Sequence, residues 1–263
     1  MQKVLITGGA GYLAGHIRAR LQPDYALTLF DRVPVAAGRR TIIGDITDPD
    51  AVLAACQGQD AVVHTVALVR GRADKPAGMF ADVVVKGTWV LLEACAAQGV
   101  SRVVNISSII ADGMPSARSC PYEVGDPPRY AKGDLFYCVS KKMAEILGNA
   151  YVQAHDLSVI HLRPGVIDGD GANPPLTRSP EGVSQPWFIY VDPRDVAQAV
   201  ECALRTDVRS GTYHVVAGRG DSLFDWWTAA REIGYDPRHN WPSIPEVCQY
   251  AGQVGPATPQ GAD

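Results

Sequence analysis

A doubly wound parallel α/β sheet with a small C-terminal lobe is the fold class that this sequence predicts. Short β-branched runs alternate with segments of helical periodicity through the first half of the chain, a pattern typical of parallel sheets with right-handed crossovers. The first run, at 3–7, leads into a glycine-rich stretch and then a helical segment. The 263 residues suffice for one such domain.

The elements follow one another in a regular order up to residue 106. The periodicity predicts strands at 3–7, 25–30, 40–43, 61–66 and 102–106, and helices at 11–21, from Asp48 onward and at 79–98. The second half predicts strands at 158–162, 187–191 and 212–216, helices at 135–153, from Asp192 onward and at 222–233, and loops at 109–134 and 164–186. We expect a dinucleotide-binding core at 1–163, an interleaved substrate lobe at 164–251 and a disordered tail at 252–263.

Composition and charge argue against several classes of protein. Hydrophobic residues make up 46% of the chain, and the formal net charge of -4 offers no basic face for nucleic acid. No apolar run reaches the roughly 20 residues of a membrane span, and the N-terminus does not resemble a signal peptide. The six cysteines are scattered and no His/Cys/Asp cluster has metal-ligand spacing. We therefore expect a cytoplasmic protein without metal, membrane or nucleic-acid partner.

The glycine-rich turn predicts a dinucleotide site. It reads Thr7-Gly8-Gly9-Ala10-Gly11-Tyr12-Leu13 and joins a strand to a helix, where glycine lets the backbone approach a pyrophosphate. Asp31 ends the second strand, at about the 20-residue spacing of the acid that binds the adenosine ribose. A carboxylate there favours NAD, with NADP as an alternative because Arg32 adjoins it. Strand ends in such a sheet face one crevice, so Asp45, Thr65 and Ser107 should also line it.

The same motifs carry a family resemblance. The turn above, Gly44-Asp45-Ile46-Thr47-Asp48 and Asp60-Ala61-Val62-Val63-His64-Thr65-Val66-Ala67 resemble the extended short-chain dehydrogenases of the NAD-dependent epimerase/dehydratase family. The resemblance implies a Rossmann-type core, NAD contacts from Gly8, Gly11, Tyr12, Leu13, Asp31, Arg32, Asp45, Ile46 and Ala67, and a nicotinamide contact from Pro164. His64 is interpreted as a strand residue.

A catalytic pair is predicted at Tyr137 and Lys141, which are four residues apart and so share one face of a helix. Tyrosine has a pKa of about 10, and bringing it to near 7 takes roughly 4 kcal/mol. A cation about 4 Å away at an effective dielectric constant of about 20 supplies energy of that order. Lys141 is also expected to hold the nicotinamide ribose. By resemblance, Ser108 is the catalytic serine, five positions before Gly113, with Ser107 as the fallback.

The predicted reaction is hydride transfer between NAD and an alcohol or hemiacetal carbon of a small sugar-like substrate, with Tyr137 as general base. The compact length and the closing Gly234-Tyr235-Asp236-Pro237 are similar to uronate dehydrogenases, and Arg178 is the candidate partner for a substrate carboxylate. Two departures from the family are Ala14 in place of a third glycine and Val84 in place of an asparagine.

Three other functions stay open at this point. The first is an epimerase or dehydratase that retains its NAD. The second is a 3β-hydroxysteroid dehydrogenase-like enzyme, suggested by the motif from Tyr137 to Glu145. The third is a non-catalytic NAD-binding sensor, because fold does not fix function. The family resemblance also implies a homodimer formed through the helices at 79–98 and 135–153.

Overall fold

The computed structural model describes residues 1–35, 41–68, 76–113, 121–130, 132, 135–167, 190–217, 222 and 224–239. Its strands are β1 Lys3–Thr7, β2 Ala26–Asp31, β3 Thr41–Ile43, β4 Ala61–His64, β5 Arg102–Ile106, β6 Ser158–Pro164, β7 Val166–Ile167, β8 Tyr190–Val191 and β9 Ser210–Val215. Seven of them form one parallel sheet in the order β3-β2-β1-β4-β5-β6-β9, while β7 pairs with β8. The strand order reverses between β1 and β4, which is where ligands bind in such sheets.

Helices cover both faces of the sheet. They are α1 Tyr12–Leu21, α2 Pro49–Cys56, α3 Ala77–Phe80, α4 Gly87–Gln98, α5 Leu135–Ala154, α6 Pro193–Arg205 and α7 Trp227–Ile233, with a π-helical segment at Ala81–Lys86 between α3 and α4. The doubly wound α/β fold predicted from the sequence is therefore confirmed.

Side chains alternate along each strand and so feed two separate cores. In β1, Val4 and Ile6 pack with α1 and α6 on one face, whereas Leu5 packs with α2 and α4 on the other. Strands buried on both faces explain why the sequence shows continuous apolar runs in place of alternation. Both α6 and β9, which follow residue 163, belong to these layers.

Local signals fix several helix ends. The Asp48 carboxylate accepts hydrogen bonds from the amides of Asp50 and Ala51 at the start of α2, and Asp192 accepts one from the amide of Arg194 at the start of α6. Gly99 ends α4 in the left-handed conformation, with φ of 70°.

Tertiary contacts shift other boundaries. The helix predicted at 222–233 begins only at Trp227, because Phe224 forms an isolated β-bridge with Tyr122 and Ser222 accepts a hydrogen bond from the Phe224 amide. The strand predicted at 158–162 continues to Pro164, since it pairs with β9 as far as Val215. The strand predicted to reach residue 66 ends at His64.

Candidate active site

The turn between β1 and α1 needs glycine at two positions. Gly8 has a φ of +76°, and a Cβ atom there would lie 2.7 Å from the hydroxyl oxygen of Thr65. A Cβ atom on Gly9 would lie 2.9 Å from that of Leu29. The amides of both glycines donate to the Phe30 carbonyl, at 2.9 and 3.1 Å, and tie the turn to β2. The backbone can come this close to its neighbours only because both positions lack a side chain.

A cavity of about 180 Å³ opens beside this turn, at the carboxyl ends of the strands. Seven of the predicted cofactor contacts line it, namely Gly8, Gly11, Asp31, Arg32, Asp45, Ile46 and Ala67, together with the expected Thr65. Five lining residues were not predicted: Phe30, Gly44, Val66, Leu68 and Val83. The first four are adjacent in sequence to predicted residues at strand ends, so their positions could have been predicted. Val83 lies in the π-helical segment, for which the sequence offers none.

Asp31 stands at the rim of this cavity in a fixed orientation. Its carboxylate accepts hydrogen bonds from the amide of Ala10 at 3.0 Å and from the amide of Val33 at 3.2 Å. A carboxylate has about four acceptor positions, so two of them remain for a ligand. The neighbouring Arg32 is exposed and also lines the cavity.

Asp45 and Ile46 form another part of the cavity lining. The Asp45 carboxylate accepts from the amide of Thr47 at 2.9 Å and from its hydroxyl at 2.8 Å. The amide hydrogen bond lowers the pKa of Asp45, which is therefore ionised at neutral pH. Ile46 is buried against Gly87, where a Cβ atom would lie 2.8 Å from its Cγ2 atom. This part of the lining thus combines a charged group with an apolar surface.

Four predicted cofactor contacts do not line this cavity, namely Tyr12, Leu13, Pro164 and Lys141, which lies at the end of β5. Tyr12 is exposed, and Leu13 packs against the core on the α1 face. Pro164 ends β6, where its carbonyl accepts from the amide of Ile109 at 3.1 Å. Arg178 lies outside the described residues.

The predicted catalytic residues meet where β5 ends against α5. Lys141 donates from Nζ to the carbonyl of Ile106, the last residue of β5, at 2.7 Å. Ser108 is buried just beyond this strand end. Tyr137, one helical turn before Lys141 and on the same face of α5, packs on an apolar cluster that includes Ile109. The serine, the tyrosine and the lysine are therefore brought to one region.

Lys141 is a buried cation, with only 3% of its surface exposed. Burial lowers the pKa of Lys141 to about 8, against the opposing effect of Glu145. The ammonium therefore remains mostly protonated at neutral pH.

Nearby on β4, His64 makes hydrogen bonds with Thr7 at 2.7 Å and Thr88 at 3.3 Å. Burial, followed by the charge of Lys141, lowers the pKa of His64 to about 3, so the imidazole is neutral.

A buried charged cluster next to these residues was missed from the sequence. Arg163 forms two hydrogen bonds with the Glu145 carboxylate and a third with Asp112. Ser107 donates to Glu145, and Lys142 pairs with Asp112. A signal for part of this was present, since Glu145 lies four residues after the predicted catalytic lysine and hence on the same helical face.

The described ranges contain neither a side-chain cluster suited to a metal ion nor a helix suited to spanning a membrane. No group of three or more His, Cys, Asp or Glu side chains there is placed to hold a metal ion. Within the same ranges, no helix combines the length and hydropathy of a membrane span.

The geometry agrees with a family comparison. The sequence model of the NAD dependent epimerase/dehydratase family matches residues 4–218. The chain belongs to this family. The L-arabinose 1-dehydrogenase (NAD(P)(+)) of Haloferax volcanii is 27% identical over 264 residues, which cover 94% of this chain and 100% of that protein. The uronate dehydrogenase of Pseudomonas syringae is 25% identical and covers 90% of this chain and 82% of its own length.

A solved structure supports the fold assignment. The crystal structure of uronate dehydrogenase from Agrobacterium tumefaciens superimposes with a TM-score of 0.79, at 23% sequence identity, over 99% of this chain and 92% of that one. This likeness shows that the two chains share their fold.

The two departures from the family pattern are both accommodated in the core. Ala14 is buried in the first turn of α1 and packs in the core cluster on that face. Val84 is buried in the π-helical segment, and its carbonyl accepts a hydrogen bond from the Thr88 hydroxyl at 2.6 Å. This member of the epimerase/dehydratase family therefore has an aliphatic side chain where an amide is usual.

Proposed function

We propose that this chain is an NAD-dependent oxidoreductase that transfers hydride between NAD and an alcohol or hemiacetal carbon of a small sugar-like substrate. The observation that carries the proposal is the position of α5. On this helix, Lys141 donates to the last residue of β5 and Tyr137 precedes it by one helical turn, at the same edge of the sheet as the cavity beside Gly8. Reacting groups and dinucleotide can therefore share one cleft.

The residues of the cavity fit a dinucleotide. Gly8 lets the turn pack against Thr65 at the edge of the cavity, and the start of α1 directs amide groups and a positive dipole end toward a phosphate bound there. Asp31 retains acceptor positions for ribose hydroxyls and repels a 2′-phosphate, which favours NAD. Arg32 keeps NADP as an alternative, and the arabinose dehydrogenase relative is named for both cofactors.

The proposed chemistry assigns one task to each catalytic side chain. When bound, NAD supplies the hydride acceptor. Tyr137 removes the hydroxyl proton of the substrate as the hydride leaves the same carbon, so that a carbonyl forms. The positive charge of Lys141 stabilises the tyrosinate, and the Ser108 hydroxyl donates a hydrogen bond to the reacting oxygen.

The substrate class follows from the relatives that span most of the chain. Two of them are named as dehydrogenases of L-arabinose and of uronates, so we propose oxidation of a free aldose or uronic acid at C1. For a uronate, Arg178 is the proposed carboxylate partner. Arg163 is not available for that role, because Glu145 and Asp112 occupy its guanidinium.

The experiment is NADH formation at 340 nm by the purified protein. The panel contains L-arabinose, other aldoses, uronic acids, sugar nucleotides and 3β-hydroxysteroids, each offered with NAD and with NADP. NADH accumulation with an aldose or uronate supports the proposal. Conversion of a sugar nucleotide without net NADH would instead establish an epimerase or dehydratase that retains its cofactor. Turnover of a steroid would establish a steroid dehydrogenase, and NAD binding without any turnover would establish a sensor.

We also propose that the protein is a homodimer formed through α4 and α5. These helices pack together and expose large apolar side chains, namely Trp89, Phe136, Met143 and Ile146. Single exposed apolar residues are ordinary, whereas neighbouring ones indicate an interface. Sedimentation velocity should show Ile146→Glu as a monomer. Ile43→Glu is the matched control, because Ile43 on β3 is similarly exposed, at 54% against 57%, and that variant should remain a dimer.

A further inference from the structure

An ion pair lies buried beneath the proposed catalytic residues. Arg163 on β6 and Glu145 on α5 are 1% and 2% exposed. Nε and Nη2 of the arginine donate to the two carboxylate oxygens at 2.7 and 2.6 Å. Apolar residues of similar volume are often as stabilising as a buried ion pair, while removal of one partner alone is strongly destabilising. The pair is therefore not explained by stability alone.

The pair is connected to both ends of the segment that carries Ser108. At one end, the Ser107 hydroxyl donates to Oε1 of Glu145 at 2.6 Å. At the other, Nη1 of Arg163 donates to Oδ2 of Asp112 at 2.6 Å. The segment between them is a tight turn, closed by a hydrogen bond from the Ala111 amide to the Ser108 carbonyl at 3.0 Å. Ser108 is thus fixed relative to α5 through charged hydrogen bonds.

Glu145 also acts on Lys141. It follows Lys141 by one helical turn and raises the pKa of the ammonium against the lowering effect of burial. His64 on β4 is coupled to the same ammonium and is neutral because burial lowers its pKa to about 3, and Tyr137 lies one helical turn before Lys141 on α5. Glu145 is therefore the anion among the described residues that favours the charged form of Lys141.

We infer that Glu145 and Arg163 are positioning residues, which hold the Ser108 turn against α5, and that the Glu145 carboxylate also stabilises the Lys141 ammonium beside Tyr137. The inference rests on the proposed function for its catalytic consequence. Its electrostatic part does not need turnover and can be measured separately.

The first test is Glu145→Gln, which keeps the shape and removes the charge. We expect the alkaline limb of kcat/KM to move to lower pH by about one unit, the order of shift caused by one nearby charge, with kcat reduced more than the KM for NAD is raised. The control is Glu201→Gln, which removes a carboxylate on α6 that pairs with Arg20 of α1 and Arg205 of α6. That variant should keep the wild-type dependence of kcat/KM on pH.

A second variant guards against misfolding, since Glu145→Gln leaves the buried Arg163 without its full charge partner. Glu145→Met combined with Arg163→Met removes both charges and retains the apolar volume. We expect it to fold, with kcat lowered about tenfold to a hundredfold, as for a modest misplacement of reacting groups. A folded double variant with wild-type kcat and an unshifted alkaline limb would overturn the inference.

A third measurement separates this inference from the proposed function. The ammonium of Lys141 is titrated directly by NMR of protein labelled with ¹³C at lysine Cε, with the signal assigned through Lys141→Arg. The titration midpoint should fall in Glu145→Gln and stay in Glu201→Gln. If the wild type lacks dehydrogenase activity but the midpoint falls, the proposed function fails and the electrostatic role stands. If the midpoint does not move, the inference fails even in an active enzyme.

Discussion

The two ends of the proposed cleft are built by different physical means. Around Gly8 the cavity depends on backbone geometry, with a left-handed glycine and amides tied to the neighbouring strand. Around Lys141 it depends on charge, with a buried ammonium next to the Glu145–Arg163 ion pair. The first end is formed by turns and strand ends that follow β1, β2, β3 and β4, whereas the second depends on side-chain contacts among β5, α5 and β6.

This difference predicts that substitutions at the two ends will impair the protein in different ways. A substitution of Gly8 should act sterically and at every pH, because the added Cβ atom would lie against Thr65. One at the charged end should act through protonation and hydrogen bonding, and so depend on pH. The variants below test this contrast at each end.

The largest effect is expected for Tyr137→Phe, which removes the proposed general base. Such groups contribute about 10²- to 10⁴-fold, so kcat should fall by that factor while the dissociation constant of NAD changes little. Stopped-flow turnover and NAD titration by fluorescence measure the two quantities. Tyr25→Phe, at the opposite edge of the sheet, removes a hydroxyl that binds Arg205 and should retain activity. Retention of more than a few per cent of kcat in Tyr137→Phe would refute the assignment.

A smaller effect, confined to binding and stability, is expected for Gly8→Ala. The new Cβ atom would meet Thr65 in addition to adopting an unfavourable φ. Gly58→Ala is the matched control, since Gly58 has a φ of +66° with nothing within 4 Å of the added atom. The control should lose about 1–2 kcal/mol of stability from backbone strain alone. Gly8→Ala should lose more stability than this and bind NAD at least tenfold more weakly. Equal losses of stability in the two variants would contradict the steric role of Gly8.

The contrast also explains what the sequence could predict. Gly8 and Asp31 were predictable because a turn and a strand end place them at a fixed spacing. The Glu145–Arg163 pair was not, because its members approach only when β6 packs against α5. The boundary of α7 was wrong for a similar reason, since the bridge between Phe224 and Tyr122 is a tertiary contact. Local rules therefore predicted the fold, the residues around Gly8 and the Tyr137–Lys141 pair, whereas the ion pair beside Lys141 became visible only in the packed structure.

A moderate change in cofactor preference is expected for Asp31→Ser. Serine retains a hydrogen-bonding group but removes the negative charge that would repel a 2′-phosphate, while Arg32 remains beside it. The ratio of kcat/KM for NADP to that for NAD should rise about tenfold or more, equivalent to about 1.4 kcal/mol. Asp24→Ser, at a surface ion pair with Arg205, should leave the ratio unchanged. An unaltered ratio in Asp31→Ser would mean that another group selects the cofactor.

The smallest effect concerns acid stability, and it compares the two ends directly. Arg163 holds the pKa of Glu145 below its ordinary value despite burial. Lys142 and Arg163 together do the same for Asp112, and the Thr47 amide does so for Asp45. A carboxyl whose pKa is lower in the folded state stabilises the fold above its unfolded pKa, about 4. That contribution is lost as the pH falls through the folded value.

The double variant Glu145→Met with Arg163→Met should therefore flatten the decline of unfolding free energy below about pH 4, where each carboxyl contributes a slope of at most about 1.4 kcal/mol per pH unit. Asp45→Asn should flatten it less, because it removes one perturbed carboxyl, whereas the double variant removes Glu145 and also takes the Arg163 partner from Asp112. Urea unfolding between pH 3 and pH 7 measures both slopes. A larger change of slope in Asp45→Asn would show that the stronger electrostatic contribution lies near Gly8, and would contradict the proposed difference between the two ends of the cleft.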